Sequence, residues 1–534
     1  MVAPCLPAAD NRQGDKHVES NFNHRVDEGS NPSRSTIIVP RTHYLVMTAT
    51  ITLITLLCYF ALLLIVAHFT GGRGNNDDFF RASRRSPWYL VAFGMLGASV
   101  SGVSFVSVPG MVGKIDWTYL QMCIGFFLGY VVIAAVLLPL YYRLRLTSIY
   151  GYLSLRFGVC SHKTGSLFFL LSKLSGAAAR FFLVCLVLQQ FVFSALGLSF
   201  PLTILIMLLL TWLYTRRAGI RTLVYTDTLQ TLCLLAALVT VIVMLCRNMG
   251  LDVQGLIQTI RESGHSRTFV FNDWHSTQNF WKQFLSGVFV TIVMTGLDQD
   301  MMQKNLTCKS LAEARKDMCC YGICFIPLNL LFLVLGVLLY AYAAQVGLAV
   351  PEQTDNLFPA VVASGGLPPI VTILFVLGIT SAAFSSIDSA LTSLTTSVCI
   401  DMLQIEQRGL DERRALNTRR MVHIGVVAVF VAFVLIFKAV NSSSVIDAVY
   451  IMASYTYGPL LGLFTFGLFT HRMPRDRFVP AVCIASPLLC YMLYSVVLSS
   501  TGYRFGYELL LVNGLLTFVG LLAFSSKRTA TELQ

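Results

Sequence analysis

Thirteen apolar segments recur along the chain, and this repetition limits the fold more than any other feature of the sequence. Most of the segments approach or exceed about 20 residues, the length of α-helix that crosses the hydrocarbon core of a bilayer. The sequence therefore predicts an all-α, polytopic membrane protein with 13 transmembrane helices. The segments cover approximately residues 44–69, 90–111, 117–141, 164–194, 199–215, 222–246, 279–298, 319–344, 369–399, 421–438, 445–470, 478–498 and 506–525.

The composition supports a membrane protein and argues against several soluble classes. Of the 534 residues, 55% are hydrophobic and only 12% are charged. A formal net charge of +12 would suit a nucleic-acid partner in a soluble protein, but membrane proteins collect Lys and Arg in cytoplasmic loops, so we expect no nucleic acid. The 14 cysteines show no metal-ligand or disulfide spacing.

The positive charges predict the topology. Twenty-five Lys and Arg residues lie in one set of alternating loops and seven in the other, which makes the first set cytoplasmic. With 13 spans, the N-terminus lies outside and the C-terminus in the cytoplasm. We expect a disordered tail at 1–42, a transmembrane domain at 43–526, a cytoplasmic tail at 527–534, and a location in the plasma (inner) membrane.

One predicted span is rich in hydroxyl groups. Nine of the 17 residues from Ser381 to Ser397 are Ser or Thr, and Asp388 is the one charge among them. Lipid disfavours a carboxylate by roughly 2.5–3.5 kcal/mol on insertion scales, so this face meets the bundle or a wet cavity. Such oxygens suit a small hard cation, although serine and threonine also mediate helix packing in membranes.

Two spans contain signs of interruption. The second reads GASVSGVSFVSVPG, and the seventh ends MTGLDQDMMQKNL, with the acids Asp298 and Asp300 where the helix should still be leaving the membrane. These spans are five apart, which is the pattern of two inverted five-helix repeats whose first helices are broken at a midplane site. Glycines such as Gly97 and Gly102 can also be close-packing points.

Several motifs, in order along about residues 44 to 525, resemble the sodium/solute symporter family, which includes transporters of glucose, proline, iodide, pantothenate and sialic acid. The resemblance implies a LeuT-type fold, with a 5+5 inverted repeat formed by spans two to eleven and broken second and seventh spans. The motifs are the hydroxyl-rich span together with DDFFRASRRSPWYLVAFGMLGASVSG, LPLYYRLRLTSIYGYLSLRFG, AGIRTLVYTDTLQTL, LDQDMMQKNLTCKSLAEARKD and YTYGPLLGLFTFGLF.

The resemblance implies Na⁺ as the coupled ion and assigns its main site. The implied ligands are the backbone carbonyls of the second span and ninth span together with a serine pair: Gly97, Val100, Ala382, Ser385 and Ser386. Glycine at position 97 replaces an alanine common in the family, and we expect this change to matter little because a carbonyl is the ligand.

The resemblance also implies a second sodium site, at Asp227 in the sixth span with Asp388 and Ser389 in the ninth, and the two acids there suit a second cation or a proton. The alternative is that Asp227 caps the cytoplasmic start of its helix.

Arg180 occupies a position that resembles the carboxylate-binding arginine of sialic acid transporters. It lies well inside the fourth span, so it either binds an anionic solute or forms a structural ion pair. Lys173, two turns earlier, is expected to reach solvent. Sugar transporters carry aromatic residues where Met294 and Thr295 stand here, which argues against a stacked hexose. The remaining solute candidates are Ser101, Ser104 and Asp298.

The predicted function is sodium-coupled import of a small polar solute by alternating access, with sialic acid or another carboxylate as the favoured cargo. Sodium, the solute and the lipid bilayer are the expected partners, and the chain is expected to be a monomer or weak oligomer. A sugar or amino-acid symporter is the first alternative, and a channel or solute sensor is the next. No catalytic motif was found, so we do not predict an enzyme.

Overall fold

The structure is a computed structural model that describes residues 41–70, 76–215, 219–409, 411–440 and 445–527. The predicted N-terminal tail lies outside the described residues except for its last two, which begin the first helix. Residues 528–534 of the predicted C-terminal tail also lie outside. From Leu45 onward the described residues form one compact unit.

The first half of the described chain is entirely helical in its regular structure. Its helices are formed by long apolar runs, and a helix satisfies the backbone hydrogen bonds within its own segment. The α-helices are α1 (Arg41–Thr70), α2 (Asn76–Arg81), α3 (Trp88–Ser99), α4 (Gly102–Ile115), α5 (Tyr119–Val132), α6 (Leu138–Arg143), α7 (Gly151–Arg156), α8 (Val159–Leu188), α9 (Phe200–Thr215), α10 (Ile220–Asn248) and α11 (Val253–Glu262).

The second half adds helices and one small sheet. Strands β1 (Arg472–Pro474) and β2 (Ser525–Lys527) pair antiparallel, with Arg472 opposite Lys527. The helices are α12 (Phe280–Thr291), α13 (Gln299–Asn305), α14 (Leu311–Gln345), α15 (Leu357–Ala363), α16 (Pro369–Ser397), α17 (Glu412–Val440), α18 (Val445–Thr456), α19 (Gly458–Phe469), α20 (Val479–Thr501) and α21 (Leu509–Ala523). The predicted all-α class is confirmed.

The number of spans agrees with the prediction in part. Eight helical segments of the described chain are long and apolar enough to cross a membrane, and two bent helix pairs raise this number to ten. The other three predicted spans coincide with shorter apolar helices, namely α9, the pair α18 and α19, and α21. The total of 13 spans stays a prediction.

Both predicted interruptions are present. The second span bends by 57° between α3 and α4, and the seventh bends by 69° between α12, with the π-helical turn that follows it, and α13. Val100 and Ser101 separate the first pair. Leu297 and Asp298 separate the second. Pro109, by contrast, lies inside α4 without breaking it.

The hydroxyl-rich helix α16 lies at the centre of the bundle. Its most apolar stretch is 72% buried, compared with 17% for the neighbouring α17. It contacts α10, α8, α4 and α3, and every residue from Thr380 to Ser397 is buried. The hydroxyl face therefore meets protein rather than lipid.

Candidate functional site

The break in the second span frees backbone carbonyl groups at the centre of the bundle. The Ser101 amide donates to Ser99 O at 3.1 Å, so it does not donate to Gly97 O, the acceptor that an uninterrupted helix would give it. Val100 has φ −81° and ψ 84°, outside the helical region. Carbonyl oxygens released from a helix are suitable ligands for a small hard cation.

Helix α16 meets this break through Ser386. The Ser386 hydroxyl donates to Ala98 O at 3.1 Å, and Ala98 lies between Gly97 and Val100 in the sequence. Ala382 precedes Ser386 by about one turn on α16 and is 1% exposed. Ser386 and the backbone at the break, which are 288 residues apart in the chain, are therefore in contact.

Ser385 faces the sixth span instead of the second. Its hydroxyl donates to Asp227 Oδ1 at 3.0 Å. A hydroxyl has one hydrogen and two lone pairs, so both serines give their hydrogen to a protein acceptor and keep lone pairs for a cation. The predicted sodium ligands lie on α3, at the break before α4, and on α16. One cation can contact all of them only if it lies between these three helices.

Gly97 is required for the close approach of α3 and α10. A Cβ at this position would overlap Thr231 Oγ1 and lie 3.0 Å from Thr231 Cβ. Thr231 Oγ1 is itself held within 3.1 Å of Phe93 O and 2.7 Å of Asp227 O. The expectation that glycine in place of alanine matters little for the ion stays a prediction, but an added methyl group here would require the Thr231 side chain or its helix to shift.

Asp227, the main residue of the predicted second cation site, is paired with a lysine. It lies two turns into α10 and is 0% exposed, so it does not cap the start of that helix. Lys304 Nζ lies 2.7 Å from Asp227 Oδ2. Lys304 was not among the residues predicted from the sequence, although it follows Asp300 on the same short helix, α13.

The other two residues of that predicted site are adjacent on α16. The Ser389 amide donates to Asp388 Oδ1 at 2.6 Å, and Ser389 Oγ is 3.3 Å from the same oxygen. Both residues are almost completely buried. The structure therefore places Asp388 and Ser389 on the helix that contacts Asp227 through Ser385.

A central cavity of about 110 Å³ lies beside the break in the second span. Ala98 and Ser386 form part of its wall, so the predicted sodium site and the cavity share Ser386. All six residues predicted to bind the solute line this cavity: Ser101, Ser104, Arg180, Met294, Thr295 and Asp298.

Arg180 is a partly buried cation in the cavity wall. Within the described parts of the chain, no carboxylate lies within ion-pair distance of its guanidinium. Tyr450 and Tyr457 line the same cavity. The described residues therefore contain no structural ion pair of Arg180, and its guanidinium is available to a ligand.

Asp298 lines the cavity but its carboxylate is already engaged. Lys173 Nζ lies 3.2 Å from Asp298 Oδ2 and 2.6 Å from Asp300 Oδ2. The Tyr457 hydroxyl donates to Asp298 Oδ2, and the Asp300 amide donates to Asp298 Oδ1 at 2.8 Å. These bonds make Asp298 an anchor for the broken seventh span.

The expectation that Lys173 reaches solvent is wrong, because its side chain is 9% exposed and paired with the two acids.

Three further hydroxyl groups in the cavity wall were not predicted from the sequence. The Tyr130 hydroxyl donates to Tyr321 Oη at 2.8 Å, and Tyr321 Oη also bonds with Ser99 Oγ. All three residues line the cavity. Tyrosines inside apolar spans gave no sequence signal that would distinguish them from packing residues.

Comparisons with known proteins show the family of this chain. The sequence model of the sodium:solute symporter family matches residues 79–476. The sodium/sialic acid symporter SiaT of Proteus mirabilis is 25% identical over 440 residues, which is 80% of this chain and 86% of that protein. The sodium/sialic acid symporter NanT of Aliivibrio fischeri is 26% identical over 436 residues, covering 79% of this chain and 84% of that protein.

A solved structure shares the fold. It is the substrate-bound, outward-open state of a Na⁺-coupled sialic acid symporter, which superposes with a TM-score of 0.74 at 22% identity. The match covers 90% of this chain and 99% of that one. The broken second and seventh spans therefore lie within a fold that is known from a helical sodium symporter.

Proposed function

We propose a mechanism for this chain as a member of the sodium:solute symporter family. The chain belongs to that family because the family's sequence model matches residues 79–476. The chain is a sodium-coupled symporter of the membrane and not an enzyme. Its cargo is a small anionic organic solute with a carboxylate group, such as sialic acid, which it imports by alternating access.

The unpaired Arg180 carries the proposal for an anionic cargo. A guanidinium inside a membrane protein is costly unless a counter-charge or water compensates it, and it can bind a carboxylate through two parallel hydrogen bonds. Arg180 lines the cavity without a carboxylate partner among the described residues. The sodium/sialic acid symporters named above support the same class of solute.

Hydroxyl groups around the cavity suit a solute that carries several polar groups. Ser101 and Ser104 lie on one wall and Thr295 on another. Met294 offers the solute a flexible apolar contact. We propose that these four residues contact the body of the solute while Arg180 holds its carboxylate.

The sodium ion is proposed to bind between the broken second span and α16. Its ligands are the carbonyl oxygens of Gly97, Val100 and Ala382 and the hydroxyl oxygens of Ser385 and Ser386. The bond between Ser386 Oγ and Ala98 O supports this position. Because the ion would tie these two elements together, it favours one conformation, which is the condition for coupling.

We also propose the orientation and location that the loop charges predicted. The N-terminus lies outside, the C-terminus lies in the cytoplasm, and the protein is a multi-pass component of the plasma membrane. The bilayer is its one structural partner, and the chain acts as a monomer or weak oligomer.

A binding comparison tests the proposed cargo. Purified protein in saturating Na⁺ is titrated with sialic acid, a monocarboxylate and a neutral sugar, and binding is followed by intrinsic tryptophan fluorescence. Arg180→Gln should weaken carboxylate binding by about 100-fold, or roughly 2.7 kcal/mol, and change any neutral-sugar binding by less than threefold.

The matched control is Arg247→Gln, which makes the same change at an exposed position near the end of α10 and should leave all affinities unchanged. Equal losses for charged and neutral solutes in Arg180→Gln would contradict an anionic cargo.

A further inference from the structure

Asp227 and Lys304 form an ion pair that is fully removed from solvent. Lys304 Nζ is 2.7 Å from Asp227 Oδ2, and the two side chains are 2% and 0% exposed. The other carboxylate oxygen, Oδ1, accepts the Ser385 hydroxyl at 3.0 Å. Both oxygens of the buried carboxylate are therefore already compensated by groups of the protein.

The ammonium group also interacts with the acids around it. Asp300 lies about one turn earlier on α13, and Asp388 lies on α16, and both carboxylates are within electrostatic range of Lys304. The predicted second cation site consists of Asp227, Asp388 and Ser389. Its two carboxylates therefore share an internal cation that the sequence analysis did not anticipate.

A sodium ion at Asp227 would compete directly with this ammonium. An ion in contact with the Asp227 carboxylate would lie within a few ångströms of Lys304 Nζ, and charges of the same sign repel strongly where little water screens them. Lys304 lies on a short helix whose residues are all buried, so its ammonium would lose its counter-charge if sodium displaced it from Asp227. The carboxylate of Asp227 therefore has room for one cation, and that cation is the ammonium of Lys304.

We propose that the ammonium of Lys304 is the resident cation of Asp227, so the cluster of Asp227, Asp388 and Ser389 binds no second sodium ion and the protein couples one Na⁺ to each solute. This inference rests on the proposed sodium site at the break of the second span. Asp227 then acts as a positioning residue, since its Oδ1 fixes the hydrogen of Ser385 and turns the lone pairs of that hydroxyl away from α10.

Counting bound ions tests the inference without knowledge of the solute. The probe is ²²Na⁺ at saturating concentration, measured by scintillation proximity on the purified full chain in detergent, with choline as the replacing cation. The wild-type protein should bind one Na⁺ per chain. Lys304→Gln should bind two, because it exposes the carboxylate of Asp227 to a second ion.

Two further variants keep the test decisive. The double variant Asp227→Asn/Lys304→Gln removes the ion pair as a unit and should bind one Na⁺, even if Lys304→Gln alone does not fold. Lys316→Gln, the same change at an exposed position of α14, should also bind one.

Binding of two ions by the wild-type protein, with loss of one in the double variant, would overturn the inference. A count of one in a folded Lys304→Gln would overturn it as well, because Lys304 would not then be what excludes the second ion.

Failure of the proposed function is distinguishable from these results. If the wild-type protein bound no Na⁺, or if Ser386→Ala bound Na⁺ with unchanged affinity, the sodium site at the broken span would be wrong. The count in Lys304→Gln would still decide the role of Lys304, because a gain of one ion over the wild-type count supports the exclusion at Asp227 and no gain contradicts it.

Discussion

Lys173 shows how a single buried charge can hold a broken helix in place. Its side chain is 9% exposed, and its ammonium lies 3.2 Å from Asp298 Oδ2 and 2.6 Å from Asp300 Oδ2. The two acids lie at the start of α13, directly after the break in the seventh span. Removing one partner from a buried ion pair leaves an uncompensated charge and commonly costs about 3–5 kcal/mol.

Lys173→Met should therefore destabilise the protein by about 3–5 kcal/mol. We expect a lower melting temperature in detergent, measured by thermal-shift fluorescence. Lys173→Met/Asp300→Asn should recover part of the loss, because one of the two orphaned charges is removed. Lys316→Met, at an exposed position, serves as the control and should melt like the wild-type protein. A double variant less stable than the single one would contradict the ion-pair explanation.

The roles of some of these residues could be predicted from the sequence, and the roles of others could not, for a physical reason. Ser386 and Arg180 could be predicted because a hydroxyl or a charge inside an apolar span has few uses. Lys173 and Lys304 could not be assigned partners, because their acids are contributed by different helices. Pairing across helices depends on tertiary packing, and it leaves no periodic pattern in the sequence.

At the scale of elements, the contact between α3 and α10 supports the sodium site. Gly97 lies against Thr231, and the ideal Cβ position of Gly94 lies 3.1 Å from Asp227 Cβ. Close approach at two glycines one turn apart keeps the break of the second span next to the sixth span. The carbonyl of Gly97 therefore depends on a helix that contributes none of the proposed sodium ligands.

Gly97→Ala should weaken sodium binding by about tenfold, or roughly 1.4 kcal/mol, because the added methyl group moves α3 away from α10. The measurement is ²²Na⁺ affinity of the purified protein. Adding Thr231→Ala should restore part of the affinity, since it removes the overlapping Oγ1 atom. Gly425→Ala on α17, where an added Cβ meets nothing within 4 Å, is the matched control. An unchanged affinity in Gly97→Ala would show that α3 tolerates the displacement.

The broken spans were predictable as elements, but the exact breaks were not. Glycines and acids inside apolar segments indicated both interruptions, and bends of 57° and 69° confirm them. Pro109 looked like part of the first break, yet it is accommodated inside α4. A helix end depends on which carbonyl and amide groups find other partners, such as Ala98 O with Ser386, and those partners are distant in the sequence.

For the whole molecule, the shared wall between ion and solute sites explains coupling. Ser386 bonds to the break of the second span and also lines the cavity that contains Arg180. Each charge that moves inward gains about 2.3 kcal/mol per 100 mV of membrane potential. One Na⁺ together with one monovalent anion moves no net charge, so the sodium concentration difference alone would drive such a cycle.

Sodium-dependent uptake tests the central claim most directly. The initial rate of labelled sialic acid uptake into proteoliposomes is measured against external Na⁺, with choline as replacement, for the wild-type protein and Ser386→Ala. The wild-type protein should accumulate the solute against its gradient with saturable dependence on Na⁺, and Ser386→Ala should need at least about ten times more Na⁺ for half-maximal rate, a loss of about 1.4 kcal/mol. Uptake that ignores Na⁺, or an identical sodium dependence in Ser386→Ala, would contradict the account.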